Sequence, residues 1–516
     1  MLLLLQVDAR FVLAEEAPAR PRAKNRGDQD RRALPGHRRG AAVPHTSSAD
    51  HSADRPAVRP AGRRVRRLRR AASASAIAVA LLAGIAPAAS AAGQAPLSVQ
   101  APTAPRHLDR AKLQAGLNAV QEAGVYGIFS AVRDGRQRFD GAAGLADVST
   151  GRPVRPDLRH RVGSVTKTFT AVAVLQQSAK GRVDLDRPVG DYVPELLPGE
   201  RGRKVTVRML LNHTSGINDY IAGAFPSLLE GSTTSLDDHR FRTIRPAELI
   251  KYGTDRPQLF EPGTDWTYSN TNYLLLGEIL RKVSGKDPEK LITQDVIRRA
   301  GLRDTYFPGT DPHIRGAHAR MYENFYGLID PPRDYSVYNM TWAGTAGALI
   351  STPQDLNTFY RTLLTGDLLP RRQLDQMRTT VDVKDETGAV GMRYGLGIYS
   401  LDTPCGPAWG HDGGVFGAGT WAMSSPDGTR QFALGYNLMK YQRLTADNTA
   451  FIPHPADAAM RDYRDQSLCG TTTPRTPDPA PKNRSAESPA AQSPATPPAL
   501  PPTDSALAVP LTLLTR

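Results

Sequence analysis

Between about residues 105 and 470, helical and strand-like patterns of apolar and polar positions alternate with no fixed repeat. "DRAKLQAGLNAVQEAG" (Asp109 to Gly124) predicts a helix that stops at its glycine. "VYGIFSAVRDGRQRFDGAAGLADV" predicts a hairpin that turns at Asp134-Gly135. "RVGSVTKTFTAVAVLQQSAKG" (Arg161 to Gly181) places Ser and Thr at the front of an apolar run, which predicts a helix reaching Gly181. Residues 205–330 read as mostly helical and loop-like, with many Pro and Gly. "YGLGIYSLD" and "AWGHDGGVFGAGTWAMSSPDGTRQFALGYNL" predict antiparallel strands, with Pro426-Asp427-Gly428 as a hairpin turn. Strands at both ends and helices between them predict an α/β (α+β) fold. One antiparallel sheet is assembled from non-adjacent segments and flanked by helices, and a mainly helical lobe is inserted in the middle.

The ends of the 516-residue chain differ from this middle. Residues 1–91 hold 17 Lys/Arg against 7 Asp/Glu, so about +10 of the net +14 belongs to the leader. The basic balance therefore gives no support to a nucleic-acid partner. "RRVRRLRR" (Arg63 to Arg70), a short apolar run and Ala89-Ser90-Ala91 have the form of a secretory signal over 63–91. The run is too short to span a bilayer comfortably, so cleavage is expected rather than a retained anchor. Residues 1–62 read as an untranslated or disordered upstream extension, with Val58 or Val65 as an alternative start. Residues 471–516 are rich in Pro, Ala and Ser, lack aromatic residues and read as a flexible tail. The expected location is secreted, with association to the cell envelope left open.

Of the two cysteines, Cys405 and Cys469, an exported chain would be expected to make a disulfide; two separate buried thiols are the alternative. No C-x-x-C or H-E-x-x-H occurs and the 11 histidines are scattered, so no metal site is predicted.

Three short stretches carry candidate chemistry. Ser164 and Lys167 lie one helical turn apart, which lets the amine reach the hydroxyl, and a helix start favours developing negative charge. A buried lysine can lose its proton near neutral pH and act as a base. Ser and Thr also simply favour helix starts, so the pair alone decides little. Tyr268-Ser269-Asn270 precedes a helix with apolar residues at Leu274, Leu275, Ile279 and Val283. Its phenol can relay protons and its amide can orient a carbonyl or the lysine. The bland alternative is a capped helix with a packed tyrosine. In His411-Asp412-Gly413-Gly414, glycines let a substrate backbone lie along a strand, and the Gly414 and Ser164 N–H groups could form an oxyanion hole. The alternative there is a Gly-rich edge strand with a surface histidine.

Together the S-x-x-K, Y-x-N and H-x-G stretches resemble the serine penicillin-recognising family: D-alanyl-D-alanine peptidases, class C β-lactamases and related esterases. The resemblance covers roughly residues 105–460, includes "LLNHTSGIND" (Leu210 to Asp219) and "TWAGTAGALISTPQDLNTF" (Thr341 to Phe359), and points to the DD-peptidase-like branch with a β-lactamase/transpeptidase-like fold. It implies Ser164 as the acylated nucleophile, Lys167 as its base and Tyr268 as the proton relay to the leaving group. Asn270 would position the substrate amide, His411 would keep Tyr268 in its working state, Gly413 and Gly414 would line the cleft, and Trp342 would wall it. The implied partners are a small peptide or peptidoglycan-like substrate and β-lactams as inhibitors, with no metal or organic cofactor.

The resemblance has departures. Asp412 follows the motif histidine where such peptidases commonly carry a threonine, and "YGLGIYSLDTPCG" lacks an arginine that could grip a terminal carboxylate. A fixed anion in the cleft would repel such a carboxylate, unless the side chain is turned away. The leading expectation is an exported D-alanyl-D-alanine carboxypeptidase-type serine hydrolase acting on cell-wall or D-amino-acid peptides. The alternatives are an esterase or other D-peptidase, a class C-like β-lactamase, and a penicillin-binding or sensing protein without turnover.

Overall fold

The computed structural model describes residues 108–385, 388–445 and 450–470. The readings for 1–62, 63–91 and 471–516 lie outside the described residues. Helix α1 (Arg110–Glu122) starts at Asp109, whose carboxylate accepts from the Lys112 N–H at 3.0 Å, and the chain turns at Gly124 with φ 105°. Strands β1 (Gly127–Asp134) and β2 (Gln137–Asp147) form the expected hairpin. Asp134 pairs with Gln137, leaving a two-residue turn with Gly135 at φ 56°. Edge strand β3 is Arg152–Pro153.

The helices that matter most to the site are α2 (Thr166–Ala179), α3 (Asn270–Ser284) and α4 (Pro353–Leu364). The chain then returns to the sheet through β4 (Val381–Lys384), β5 (Val390–Tyr394), β6 (Tyr399–Thr403), β7 (Gly406–Val415), β8 (Ala418–Ser424) and β9 (Arg430–Tyr436), and ends in α5 (Pro455–Cys469). Among the described residues these strands make a nine-stranded sheet ordered β3-β2-β1-β9-β8-β7-β6-β5-β4. β1 pairs antiparallel with β9, from Ile128 opposite Tyr436 to Asp134 opposite Arg430. The two ends of the domain thus close one sheet around the helical segments, as the alternating pattern predicts.

Two predicted strands are subdivided. Tyr394–Asp402 is a hairpin, because Tyr399 pairs back onto Tyr394. Gly397, at φ 72°, makes the bend, and there the backbone presses on α2: a Cβ would lie 3.1 Å from the Lys167 carbonyl. The Ala408–Leu438 stretch reverses first at Phe416-Gly417 and then at Pro426-Asp427-Gly428.

Both faces of the sheet are covered by helices. On one, Leu113, Leu117 and Val120 of α1 and Met460 and Tyr463 of α5 pack with Phe432 and Leu434. On the other lies α2, buried continuously from Thr166 to Gln177, with its buried polar side chains bonded inside the protein: Thr168 to the Tyr360 hydroxyl, Thr170 to the Thr345 carbonyl and Gln176 to the Leu368 carbonyl. Its Phe169 stacks on Phe359 of α4, with ring centroids 3.6 Å apart. Each large apolar side chain buried in this layer stabilises the fold by roughly 1.5–3 kcal/mol.

A disulfide joins Cys405, in the turn between β6 and β7, to Cys469 at the end of α5. It closes a loop with a sequence separation of 64 and ties the strand bearing His411 to the outer helix. Replacing both cysteines by serine should lower the unfolding free energy by about 2–4 kcal/mol. Chemical denaturation of the two proteins measures it, and equal midpoints would show that the crosslink adds nothing.

Candidate active site

The nucleophile candidate sits where the backbone tightens. Gly163-Ser164-Val165 form one 3-10 turn that runs directly into α2. From His160 to Gln177 every residue is buried except Ser164, which alone opens toward the cleft. Its N–H is among the amides that a helix start leaves without an intrahelical partner.

The turn lies against strand β7 with nothing between the backbones. Gly163 has φ 53°, and a Cβ there would lie 2.7 Å from the Gly414 nitrogen. A Cβ on Gly413 would lie 2.8 Å from the Ser164 nitrogen and would overlap the Val162 carbonyl oxygen. Residue type is therefore dictated here by close approach. The contact brings the Ser164 and Gly414 backbones together, which makes their amides the candidate pair for an oxyanion hole.

Lys167 is fully buried one turn below Ser164. Its Nζ lies 3.0 Å from Ser164 Oγ, 2.6 Å from Asn270 Oδ1 and 2.8 Å from the Ala346 carbonyl oxygen. The Tyr268 ring is 4.8 Å from the same nitrogen and the Tyr273 ring 5.4 Å. Burial drives the Lys167 pKa down to about 7, against the opposing pull of Asp219 and Asp412. A neutral amine has two N–H bonds and one lone pair. Asn270 Oδ1 and the Ala346 carbonyl can only accept, so they take the two N–H bonds, and the lone pair points at Ser164 Oγ. That is the geometry of a base poised to take the serine proton.

The Tyr268–Asn270 stretch is held from behind by His213. The His213 Nδ1 accepts from the Ser269 N–H at 3.2 Å, and its ring packs on Tyr268 with centroids 4.3 Å apart. Burial pushes the Tyr268 phenol well above its ordinary value, while the nearby Ser164 side chain works the other way. Tyr268 is thus held as a neutral phenol near the serine, suited to passing a proton on, with Lys167 the candidate base.

His411 is fully buried beside Tyr268, with ring centroids 6.5 Å apart. Its Nε2 meets the Tyr394 hydroxyl at 2.9 Å and its Nδ1 meets the Asp412 carbonyl oxygen. Burial lowers its pKa to about 4. It reaches Tyr268 through ring packing and its uncharged state, with its nitrogens committed elsewhere. The register also settles Asp412. Gly413 faces Ser164, so by strand alternation Asp412 faces the opposite side, where Trp421 is its cross-strand partner. Burial raises the Tyr399 phenol, and the nearby Asp412 carboxylate adds to that rise. The fixed anion considered for the cleft is turned away from it.

Trp342 stands near Phe416, two residues beyond Gly414, with ring centroids 5.0 Å apart, and near Phe225 at 5.6 Å. Its chain leads within four residues to the Ala346 carbonyl that holds Lys167. The structure thus brings Ser164, Lys167, Tyr268, Asn270, His411, Gly413 and Gly414 together in one cluster, with Trp342 leading into the Ala346 segment. The sequence reading missed Asp219, Tyr394 and the Ala346 carbonyl. Asp219 does end the Leu210–Asp219 stretch, but no spacing rule ties it to Asn270.

The value for Lys167 fixes a sign. Below about pH 7 the amine is protonated and has no lone pair for Ser164; above it the base is free. The kcat/KM for a p-nitrophenyl ester should therefore fall about tenfold per pH unit below an apparent pKa of about 7 and level off above it. A rate independent of pH between 5 and 8 would exclude Lys167 as the base. Gly413→Ala should cut turnover by ~100-fold or more by pushing β7 off the Ser164 turn, and a near-normal rate would show that the close approach is dispensable.

Comparison with known proteins places these features. The Beta-lactamase family model matches residues 110–450. A solved D-stereospecific amidohydrolase from Streptomyces sp. is 36% identical, with a TM-score of 0.62, over 70% of this chain and 99% of that one. Esterase EstB of Burkholderia gladioli is 32% identical over 40% of this chain and 54% of its own. The D-alanyl-D-alanine-carboxypeptidase/endopeptidase AmpH of Escherichia coli is 29% identical over 52% of this chain and 66% of its own. The chain thus spans just over half to about two thirds of the length of these curated relatives. With a matching model over most of its length and the fold to accompany it, the chain belongs to the β-lactamase/penicillin-binding family of serine hydrolases.

Proposed function

We propose that this protein is an exported hydrolase that cleaves D-amino-acid amides and amide-terminated D-peptides through an acyl-enzyme on Ser164. The observation that carries the choice is the state of the H-x-G motif. His411 is uncharged above about pH 4 and both its ring nitrogens are engaged. This position supplies no cation to a terminal carboxylate, and the Tyr394–Gly406 stretch contains no arginine. A substrate ending in an amide needs no such grip, whereas a free acid brought into the cleft would leave its charge unpaired. The preference for the D series is supported by the Streptomyces amidohydrolase, which this chain matches over nearly the whole of that protein. Export is supported by the Cys405–Cys469 disulfide, a bond that persists in oxidising compartments.

The chemistry follows from the geometry. Lys167 takes the Ser164 proton as Oγ attacks the carbonyl carbon, and the resulting oxyanion is met by the Ser164 and Gly414 N–H groups. The proton travels from Lys167 by way of the Tyr268 phenol to the departing amine as the C–N bond breaks. A water then gives up a proton along the same route and attacks the ester, releasing the acid and restoring Ser164.

The test is a direct comparison of D-phenylalaninamide, L-phenylalaninamide, an N-acyl-D-Ala-D-Ala peptide and a penicillin, with intact mass followed. The D-amide should exceed the free-acid peptide in kcat/KM by ~100-fold, the cost of about 3 kcal/mol for a poorly paired carboxylate. The penicillin should leave an adduct on Ser164, and Ser164→Ala should remove every activity. Preferred release of D-Ala from the acidic peptide would restore the carboxypeptidase reading, and equal turnover of the D- and L-amides would contradict the stereochemical one.

A further inference from the structure

Asn270 presents an ambiguity that only its surroundings resolve. An asparagine amide has an accepting oxygen and a donating nitrogen of nearly the same size, and either can face a neighbouring lysine. With the oxygen toward Lys167, the amine's lone pair is left for Ser164. With the NH2 group toward Lys167, a neutral lysine would accept from Asn270 and its lone pair would be used up. Which way this amide lies therefore decides whether Ser164 has a base.

Asp219 stands on the other side of Asn270 and is fixed by three donors. One carboxylate oxygen, Oδ2, accepts from the Asn270 backbone N–H at 2.8 Å and from Asn270 Nδ2 at 2.7 Å. The other accepts from the Ile221 N–H at 2.8 Å. A carboxylate can only accept, so it holds the NH2 group on its own side and turns Oδ1 to Lys167, 2.6 Å away. The same oxygen receives the first N–H of α3, whose N-cap Ser269 makes no side-chain capping bond, and an anion suits that helix end. Local helix capping and amide orientation are thus served by one side chain.

We propose that Asp219 is the positioning residue that directs the Lys167 lone pair onto Ser164, by locking the Asn270 amide with its oxygen toward the lysine. The inference rests on Ser164 being the nucleophile and is independent of which carbonyl substrate is natural. Asp219 also biases the lysine's charge. Burial lowers Lys167 and raises Asp219, and each opposes the other's shift. The remaining groups around the lysine are Asp412, His213, His411, Tyr268 and Tyr273, and Tyr220 and Tyr268 also feel the Asp219 charge. The two histidines are held neutral by burial, so Asp219 and Asp412 are the anions that favour the protonated lysine.

Asp219→Leu removes both accepting oxygens at a similar side-chain size, so nothing holds the Asn270 NH2 group away from Lys167 and either end of that amide can meet the amine. Acylation of Ser164 by a fluorophosphonate and by a p-nitrophenyl ester reads the nucleophile whatever the natural substrate. The variant should be acylated at least tenfold more slowly, and its acidic limb should move below the wild-type value, because an anion that raised the lysine is gone. A folded Asp219→Leu protein with the wild-type rate, or with a slower rate and an unmoved limb, overturns the proposal and leaves Asp219 as scaffold only. In the exchange variant Asp219→Asn/Asn270→Asp, position 270 presents an oxygen to Lys167 whichever way it turns, and the charge now sits beside the amine, so the acidic limb should move above the wild-type value. Above that limb its acylation rate should return to within tenfold of wild type, and it takes the place of the single variant should that one not fold. An exchange variant that folds and stays more than tenfold below wild type above its limb also overturns the proposal.

Discussion

A buried lysine amine with three neighbours fixed in space is the constraint around which this protein is organised. Each neighbour comes from a different segment: Ser164 from the turn before α2, Asn270 from the first position of α3, and the Ala346 carbonyl from the short helical turn Gly344–Gly347 that follows Trp342. Burial would make the charged amine expensive and so favours the free base, and the two obligate acceptors then determine where its lone pair points. The continuous burial of α2 is thus more than a packing solution. It removes water from the lysine and still leaves Ser164 as the one opening in that stretch.

The sheet supplies the second half of the site through backbone rather than side chains. Gly163 and the Gly413-Gly414 pair let two main chains meet without intervening atoms, which sets the Ser164 and Gly414 amides side by side. Strand alternation then assigns the motif's side chains: His411 goes to the helix face and Asp412 to the face covered by α1 and α5. The disulfide at the end of α5 braces the turn from which this strand departs. With His411 held neutral by burial, the chemistry this site presents is that of a base and two backbone amides.

Much of this was legible in the chain, for physical reasons that differ by element. Asp109, Gly124, Gly135 and Gly428 are local stop and turn signals, and each behaves as its chemistry dictates. Ser164 and Lys167 are one helical turn apart, so their meeting needs only a helix, and Tyr268 and Asn270 became readable through their company. The Gly397 bend was not legible, because the residues on either side keep a strand-like pattern and the turn is imposed by contact with α2. Asp219 was hidden because its role depends on an approach to Asn270 across 51 residues. The direction of Asp412 needed the register with Trp421, which only the folded sheet provides.

The central claim is that Lys167 is a free amine near neutral pH, and its titration can be observed directly. In protein labelled with 13C at the lysine Cε, one resonance, absent from Lys167→Met, should titrate with a midpoint of about 7. A Lys167 resonance that stays in its protonated position up to pH 10 would contradict the account, because the serine would then have no base where the structure places one.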